Sequence, residues 1–186
     1  MTLFGMEIDP WYLLAQAIGV IAATVGILSF QQKKQSGIVL YQAVNCMLWM
    51  VHMFMLGAVA GGFMNLIGVT RGIVFYYRGR YRWADSRLWI PVFCVLVVVA
   101  GAFSWVQGDG WLALLPMSAM VLTTFSLSLR SPFRVRALTF FSSPCWCTYN
   151  VIKGSIPGIL TEIFVMVSIV IGILRFDVKR KTNHVA

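Results

Sequence analysis

The sequence predicts an all-α membrane protein of seven transmembrane helices, arranged as two parallel three-helix repeats joined by a linker helix. Three observations lead there. Of 186 residues, 59% are hydrophobic and 11% charged, against about 25% charged in a soluble domain. The apolar residues gather into helix-length runs, not the alternating segments of about ten residues that build a membrane barrel. The basic residues fall almost entirely on alternate inter-helix loops. This composition excludes a soluble globule, a disordered tail and a nucleic-acid binder, despite a formal net charge of +9.

The first run, Trp11–Phe30, follows Glu7 and Asp9 instead of a basic segment, so it reads as a retained helix and not a cleavable signal peptide. The second and third, Val39–Leu56 and Phe63–Tyr77, nearly fuse and divide at Gly57 and the Gly61-Gly62 pair. Leu88–Phe103 is the fourth. Trp111–Leu129, Ala137–Val151 and Ile156–Phe176 complete the set. A membrane helix takes roughly 20 residues, so seven use about 140 and leave no room for a soluble catalytic domain. One membrane domain is expected, with repeat 1 over about 10–78, the linker helix over about 88–105 and repeat 2 over about 110–176.

Charge sets the orientation. Lys33 and Lys34, then Arg78, Arg80, Arg82 and Arg87, then Arg130, Arg134 and Arg136, then Arg175, Lys179, Arg180 and Lys181 share one side if seven helices cross. The other side holds Glu7, Asp9, Asp109 and Lys153. Positive loops stay cytoplasmic, which puts the N-terminus outside and the C-terminus inside. The net charge is thus topological, with attraction to anionic lipid as its by-product.

A shift of 97 residues lays helices 1–3 over helices 5–7. Trp49 falls on Trp146, His52 on Tyr149, Gly57 on Gly154, Gly61 on Gly158, Asn65 on Glu162 and Arg78 on Arg175. Both copies fit W-x2-[HY]-x4-G-x3-G-x3-[NE]-x12-R without a gap. Because one helix separates the two odd-numbered units, they share an orientation, as in one class of transporters.

The 3+1+3 plan resembles the SWEET sugar transporters and the wider PQ-loop superfamily. Leu114-Leu115-Pro116, Trp146-x2-Tyr149-Asn150-x3-Gly154-Ser155-Ile156-x-Gly158, Glu162 and Ile173-Leu174-Arg175-Phe176 carry a nearer resemblance. It is to the small bacterial inner-membrane family typified by YgjV, and it covers nearly the whole chain. It implies an inner-membrane protein and leaves the activity open. The chain departs from the PQ-loop pattern in having no Pro-Gln dipeptide, only Gln31-Gln32 and an isolated Pro116.

Polar groups inside a span are costly, so each is a functional candidate. Asn45, Trp49 and His52 form one stripe of helix 2, and Ser142, Trp146 and Tyr149 the matching stripe of helix 6. Together with Asn150 they are the expected walls of a central cavity, where indole faces stack on a solute and His52 and Tyr149 hydrogen-bond it. Packing of helix against helix is the competing role. Asn65 and Glu162 share one repeat position and are expected to face that cavity. A carboxyl inside a span is costly to ionise, which makes Glu162 a candidate for proton coupling or solute contact; a structural role, wetted by an outer vestibule or bonded to a neighbouring helix, competes with both. Arg71 is either a charge partner of Glu162 or of an anionic solute, or it snorkels to the headgroups; snorkelling is the expectation.

No metal or cofactor is expected. Cys145 and Cys147 diverge on a helix, no second cysteine pair supports zinc, and Cys46 and Cys94 read as packing residues. No phosphate loop, nucleophile elbow or metalloprotease motif is present, and the chain is not expected to be an enzyme. A His52–Glu162 pair is the one arrangement that would reverse this. The leading expectation is a carrier for a sugar, amino acid or similar metabolite, working by alternating access between the two triple-helix units. A non-transporting sensor, scaffold or assembly protein is the alternative. The partners are then the lipid bilayer and a small-molecule solute, with self-association open and nucleic acid excluded.

Overall fold

The computed structural model describes residues 2–3, 6–7, 9–29, 35–77, 79–126 and 132–173. These form α1 (Pro10–Ser29), α2 (Gln35–Met55), α3 (Val59–Tyr76), α4 (Trp89–Ser104), α5 (Leu114–Ser126), α6 (Pro132–Ile152) and α7 (Ile156–Gly172). A two-residue antiparallel pairing of β1 (Thr2–Leu3) with β2 (Met6–Glu7) precedes them. The cytoplasmic charge assignment rests partly on Lys33, Lys34, Arg78, Arg130, Arg175 and the tail lysines and arginine, which lie outside the described residues.

Local chemistry explains where the helices stop. The Asp9 carboxylate accepts the Tyr12 N–H at 2.6 Å and caps α1. Ser155 caps α7 by accepting the Gly158 N–H at 3.2 Å, with Pro157 in the first turn, where its missing N–H costs nothing. Gly57 and Gly154 end α2 and α6 with φ of 65° and 63°, a backbone region that disfavours any side chain. α4 runs on through a wide turn, Trp105–Asp109, that breaks at Gly108, and a 3-10 turn, Gly110–Ala113, leads into α5. Pro144 lies inside α6, where it removes one backbone hydrogen bond two residues before Trp146.

The 97-residue register extends to the backbone. Shifting α2 by 97 gives the limits of α6, Val59 at the start of α3 gives Ile156, and Ser29 at the end of α1 gives Ser126. In the first turn the N–H groups of Leu56, Gly57 and Ala58 donate to the carbonyls of His52, Phe54 and Met53. In the second, Lys153, Gly154 and Ser155 donate to Tyr149, Val151 and Asn150, the same pattern.

Packing follows the same symmetry. α2 contacts α1 and α3, and α6 contacts α5 and α7. The two units meet where α1 touches α7 and where α3 touches α5. α4 leans on α3 and α5, burying Phe93 and Val97 against Met64, Ile67, Val74 and Met120. Its other face, with Val95 and Val99, stays exposed, as do Leu160 and Phe164 of α7. Apolar exposure on this scale is foreign to a soluble monomer and fits a bilayer. Pro10–Leu28 and Trp89–Ser126 are long and apolar enough to cross a membrane; Val59–Val74 and Ile156–Ile171 are apolar but shorter.

Helix positions agree with the hydropathy reading apart from early starts. α2 begins at Gln35, not Val39, α3 at Val59, not Phe63, and α6 at Pro132, not Ala137. The added first turns of α2 and α6 carry Gln35 and Ser36, or Arg134 and Arg136, polar residues that a helix start accommodates without looking apolar. α5 is shorter than Trp111–Leu129, because its entry is the 3-10 turn and residues 127–129 lie outside the described set.

Candidate functional site: a cavity between the two units

A cavity of about 210 Å³ lies between the units. Trp49 and Met53 of α2, Asn65 and Arg71 of α3, Trp146 and Asn150 of α6 and Glu162 of α7 line it. Six of these residues form three pairs of register mates: Trp49 with Trp146, Met53 with Asn150, and Asn65 with Glu162. Cys46, Met120, Thr123, Gly158 and Thr161 complete the lining.

The polar groups in it are distinct in chemistry. The Ser143 hydroxyl of α6 lies beside the Glu162 carboxylate. Arg71 donates from Nη1 to the Thr124 hydroxyl at 3.2 Å, and that hydroxyl donates onward to the Met120 carbonyl at 2.7 Å. The guanidinium therefore turns inward onto α5, contrary to the expected snorkelling, because its long stem lets it reach the cavity from a different helix angle than Asn65. Asn65 donates to the Gly61 carbonyl of its own helix at 2.9 Å. Asn150 is buried, and its Oδ1 is without a hydrogen-bond partner.

His52, Tyr149 and Asn45 do not line the cavity. The expected stripe runs along one helix face, but only Trp49 and Trp146 turn from it to the cavity. His52 and Tyr149 stand edge-on to the tryptophans, at ring-centroid distances of 5.2 Å and 6.3 Å, and are fully buried beside them. His52 contacts the Ala15 carbonyl at 2.6 Å through Nδ1 and the Ser155 hydroxyl at 2.7 Å through Nε2. A carbonyl only accepts, so Nδ1 carries the proton and Ser155 donates to Nε2. The His52–Glu162 pair that would suggest catalysis is replaced by a sealed capping contact, since the same serine oxygen caps α7. Asn45 instead packs its amide against Gly26, its Oδ1 buried and without a partner.

A polar layer joins the two turns, Gly57 and Gly154, at the end of the bundle where α1 begins. Asp109 is its centre. Its Oδ2 accepts the Ala60 N–H at 2.5 Å and the Tyr149 hydroxyl at 2.8 Å, and its Oδ1 pairs with Lys153 Nζ at 2.5 Å. Lys153 also donates to the Gly57 carbonyl at 3.3 Å. On the other side Tyr12 and Gln16 of α1 donate to the Gly154 carbonyl at 3.0 Å and 2.9 Å. Each turn of one unit is thus held by side chains of the other unit or of the segment entering it. Asp109 and Lys153 were legible as residues of one side of the membrane. Their pairing was not, because 44 residues of chain separate them and neither belongs to a motif.

The fold and the apolar surface define an integral membrane helix bundle. The model of the bacterial inner membrane protein family Imp-YgjV matches residues 13–180, and the chain belongs to that family. It is 27% identical over 165 residues to inner membrane protein YgjV of Escherichia coli (strain K12), covering 89% of this chain and 85% of that protein. No solved structure matches.

Proposed function

We propose that the protein is a carrier for a small polar solute in the bacterial inner membrane, working by rocking one three-helix unit against the other. All seven helices cross the bilayer in this reading, the N-terminus lies outside, and the two units descend from one duplicated precursor. The observation that carries it is the cavity at the unit interface, lined by register-matched side chains from both halves. A site at the interface of two repeats, built from equivalent positions of each, is the arrangement that transporters use for alternating access by rocking. The Asp109–Lys153 layer then closes the outer end. Glu162, held in the cavity wall, is the group that would couple solute movement to protons.

A ligand-dependent thermal shift of the purified protein tests this reading. A solute bound in the cavity raises stability by mass action, whatever its identity. A panel of sugars, amino acids and nucleosides should contain a compound that raises Tm in the parent and fails to do so in Trp49→Ala and Trp146→Ala. A sensor or scaffold packed solid at the interface gives no such pair of results.

A further inference from the structure

We infer that the cavity takes a zwitterion carrying an ammonium and a carboxylate, a small α-amino acid, with its two charges held by opposite units. This rests on the carrier reading above and names its substrate class. The lining contains one cationic and one anionic side chain, Arg71 from α3 and Glu162 from α7. A neutral sugar needs neither, and an in-span charge that serves no ligand is a costly thing to retain. Arg71 has five N–H donors, and its bond to Thr124 uses one of them. It suits a carboxylate, which the planar guanidinium grips through two parallel bonds.

The opposite wall is built to accept. Glu162 supplies a carboxylate. Asn150, 3% exposed, has an Oδ1 with no donor. A buried amide oxygen left this way costs free energy until an N–H reaches it. That oxygen leans on Gly158, where an added Cβ would come within 2.6 Å of it, so the glycine leaves the room that the amide occupies. Trp49 and Trp146 add aromatic faces, which attract an ammonium further. The volume of about 210 Å³ lies below the roughly 300–1,000 Å³ of drug-sized sites and suits a metabolite of few atoms. A ligand bridging α3 to α6 and α7 would also tie the two units together, so binding and closure become one event.

Binding to the full-length protein in detergent, by thermal shift and calorimetry, tests this with named probes: L-serine, L-alanine and L-threonine, the carboxylate-free amine ethanolamine, the ammonium-free acid L-lactate, and glucose. The amino acids should bind, and each analogue should bind at least tenfold more weakly. Arg71→Gln should lose about tenfold for the amino acids with no further loss on removing their carboxylate. Glu162→Gln should behave likewise towards the ammonium. That crossed pattern is one a merely destabilised variant does not give. Equal loss for all probes in both variants overturns the assignment, as does binding of glucose where no amino acid binds. The latter result leaves the carrier reading intact, and two-sided access to the cavity judges that reading separately.

Discussion

His52 of α2 and Tyr149 of α6 stand 97 residues apart, and each reaches across the bundle to the first turn of the opposite unit's last helix. His52 meets Ser155, the cap of α7, at 2.7 Å, and Tyr149 accepts the Gly61 N–H of α3 at 3.1 Å. The register mate of Ser155 is Ala58, which cannot cap. Asp109 and Tyr149 together take over that task for α3 by engaging the N–H groups of Ala60 and Gly61.

Removing these crossed contacts should cost stability on both sides. Tyr149→Phe strips the Gly61 N–H of its acceptor and Asp109 of one donor, a loss of about 1–3 kcal/mol. Ser155→Ala removes the α7 cap and should cost about 0.5–2 kcal/mol. Thermal unfolding in detergent measures both. A Tm equal to the parent's in Tyr149→Phe would contradict the geometry.

The Asp109–Lys153 pair should show strong coupling. The Asp109 side chain is 1% exposed, so Lys153→Met leaves a buried carboxylate without its counter-charge. Breaking a buried pair from one side costs about 3–5 kcal/mol. Asp109→Asn is milder, since the amide still offers an oxygen to Ala60 and Tyr149. The double variant should recover part of the Lys153→Met loss, and a purely additive cycle would show that the pair is not felt.

Gly57→Ala and Gly154→Ala should both destabilise, the second at least as much, because Gly57 is exposed and Gly154 is buried. Their φ values are 65° and 63°, and the left-handed conformation costs a side chain roughly 1–2 kcal/mol. Nothing lies within 4 Å of a Cβ at Gly57, so the cost there is purely conformational. Gly61→Ala tests a different mechanism, because its Cβ would meet the Tyr149 ring at 2.9 Å. A Tm equal to the parent's in either variant would argue against the left-handed turn at that position.

Orientation is open to thiol labelling. Val106 is 81% exposed in the turn before Asp109. A cysteine there should react with an impermeant maleimide added outside whole cells, and one at Arg180 should not. The reverse outcome would overturn the placement of the N-terminus outside.

Proton coupling has its own signature. Glu162→Gln keeps the shape and removes the titration. Transport by that variant in proteoliposomes should lose its dependence on a pH gradient. Unchanged gradient dependence would assign Glu162 a role in binding or packing alone.

How much of this was legible in the sequence follows from what each feature depends on. The helices were readable because lipid demands long apolar runs, and the turns because Gly57 and Gly154 punctuate them at a fixed register. Trp49, Asn65, Trp146, Asn150 and Glu162 reached the cavity as expected of polar and aromatic groups in spans. Helical spacing puts His52 near the face of Trp49, yet it cannot tell a side chain that enters a cavity from one that plugs the neighbouring helix end. Arg71 was misplaced for a similar reason: stem length permits both headgroups and interior, and Thr124 of another helix decides between them. Pro144 inside α6 has no distinct signature in the sequence, because a single proline in an apolar run marks a boundary as readily as a kink.

Whether the cavity can be reached in turn from both sides is read at Cys46, which lines it. Cys94, Cys145 and Cys147 are replaced by alanine, leaving one thiol. An impermeant thiosulfonate reagent is then applied to right-side-out and inverted vesicles. Cys46 should react from the side opposite the Asp109–Lys153 layer in the parent, with a several-fold gain from the layer's own side once Asp109→Asn loosens it. A Cys46 that stays unreactive from both sides in both proteins would contradict a carrier and leave a solid membrane scaffold in its place.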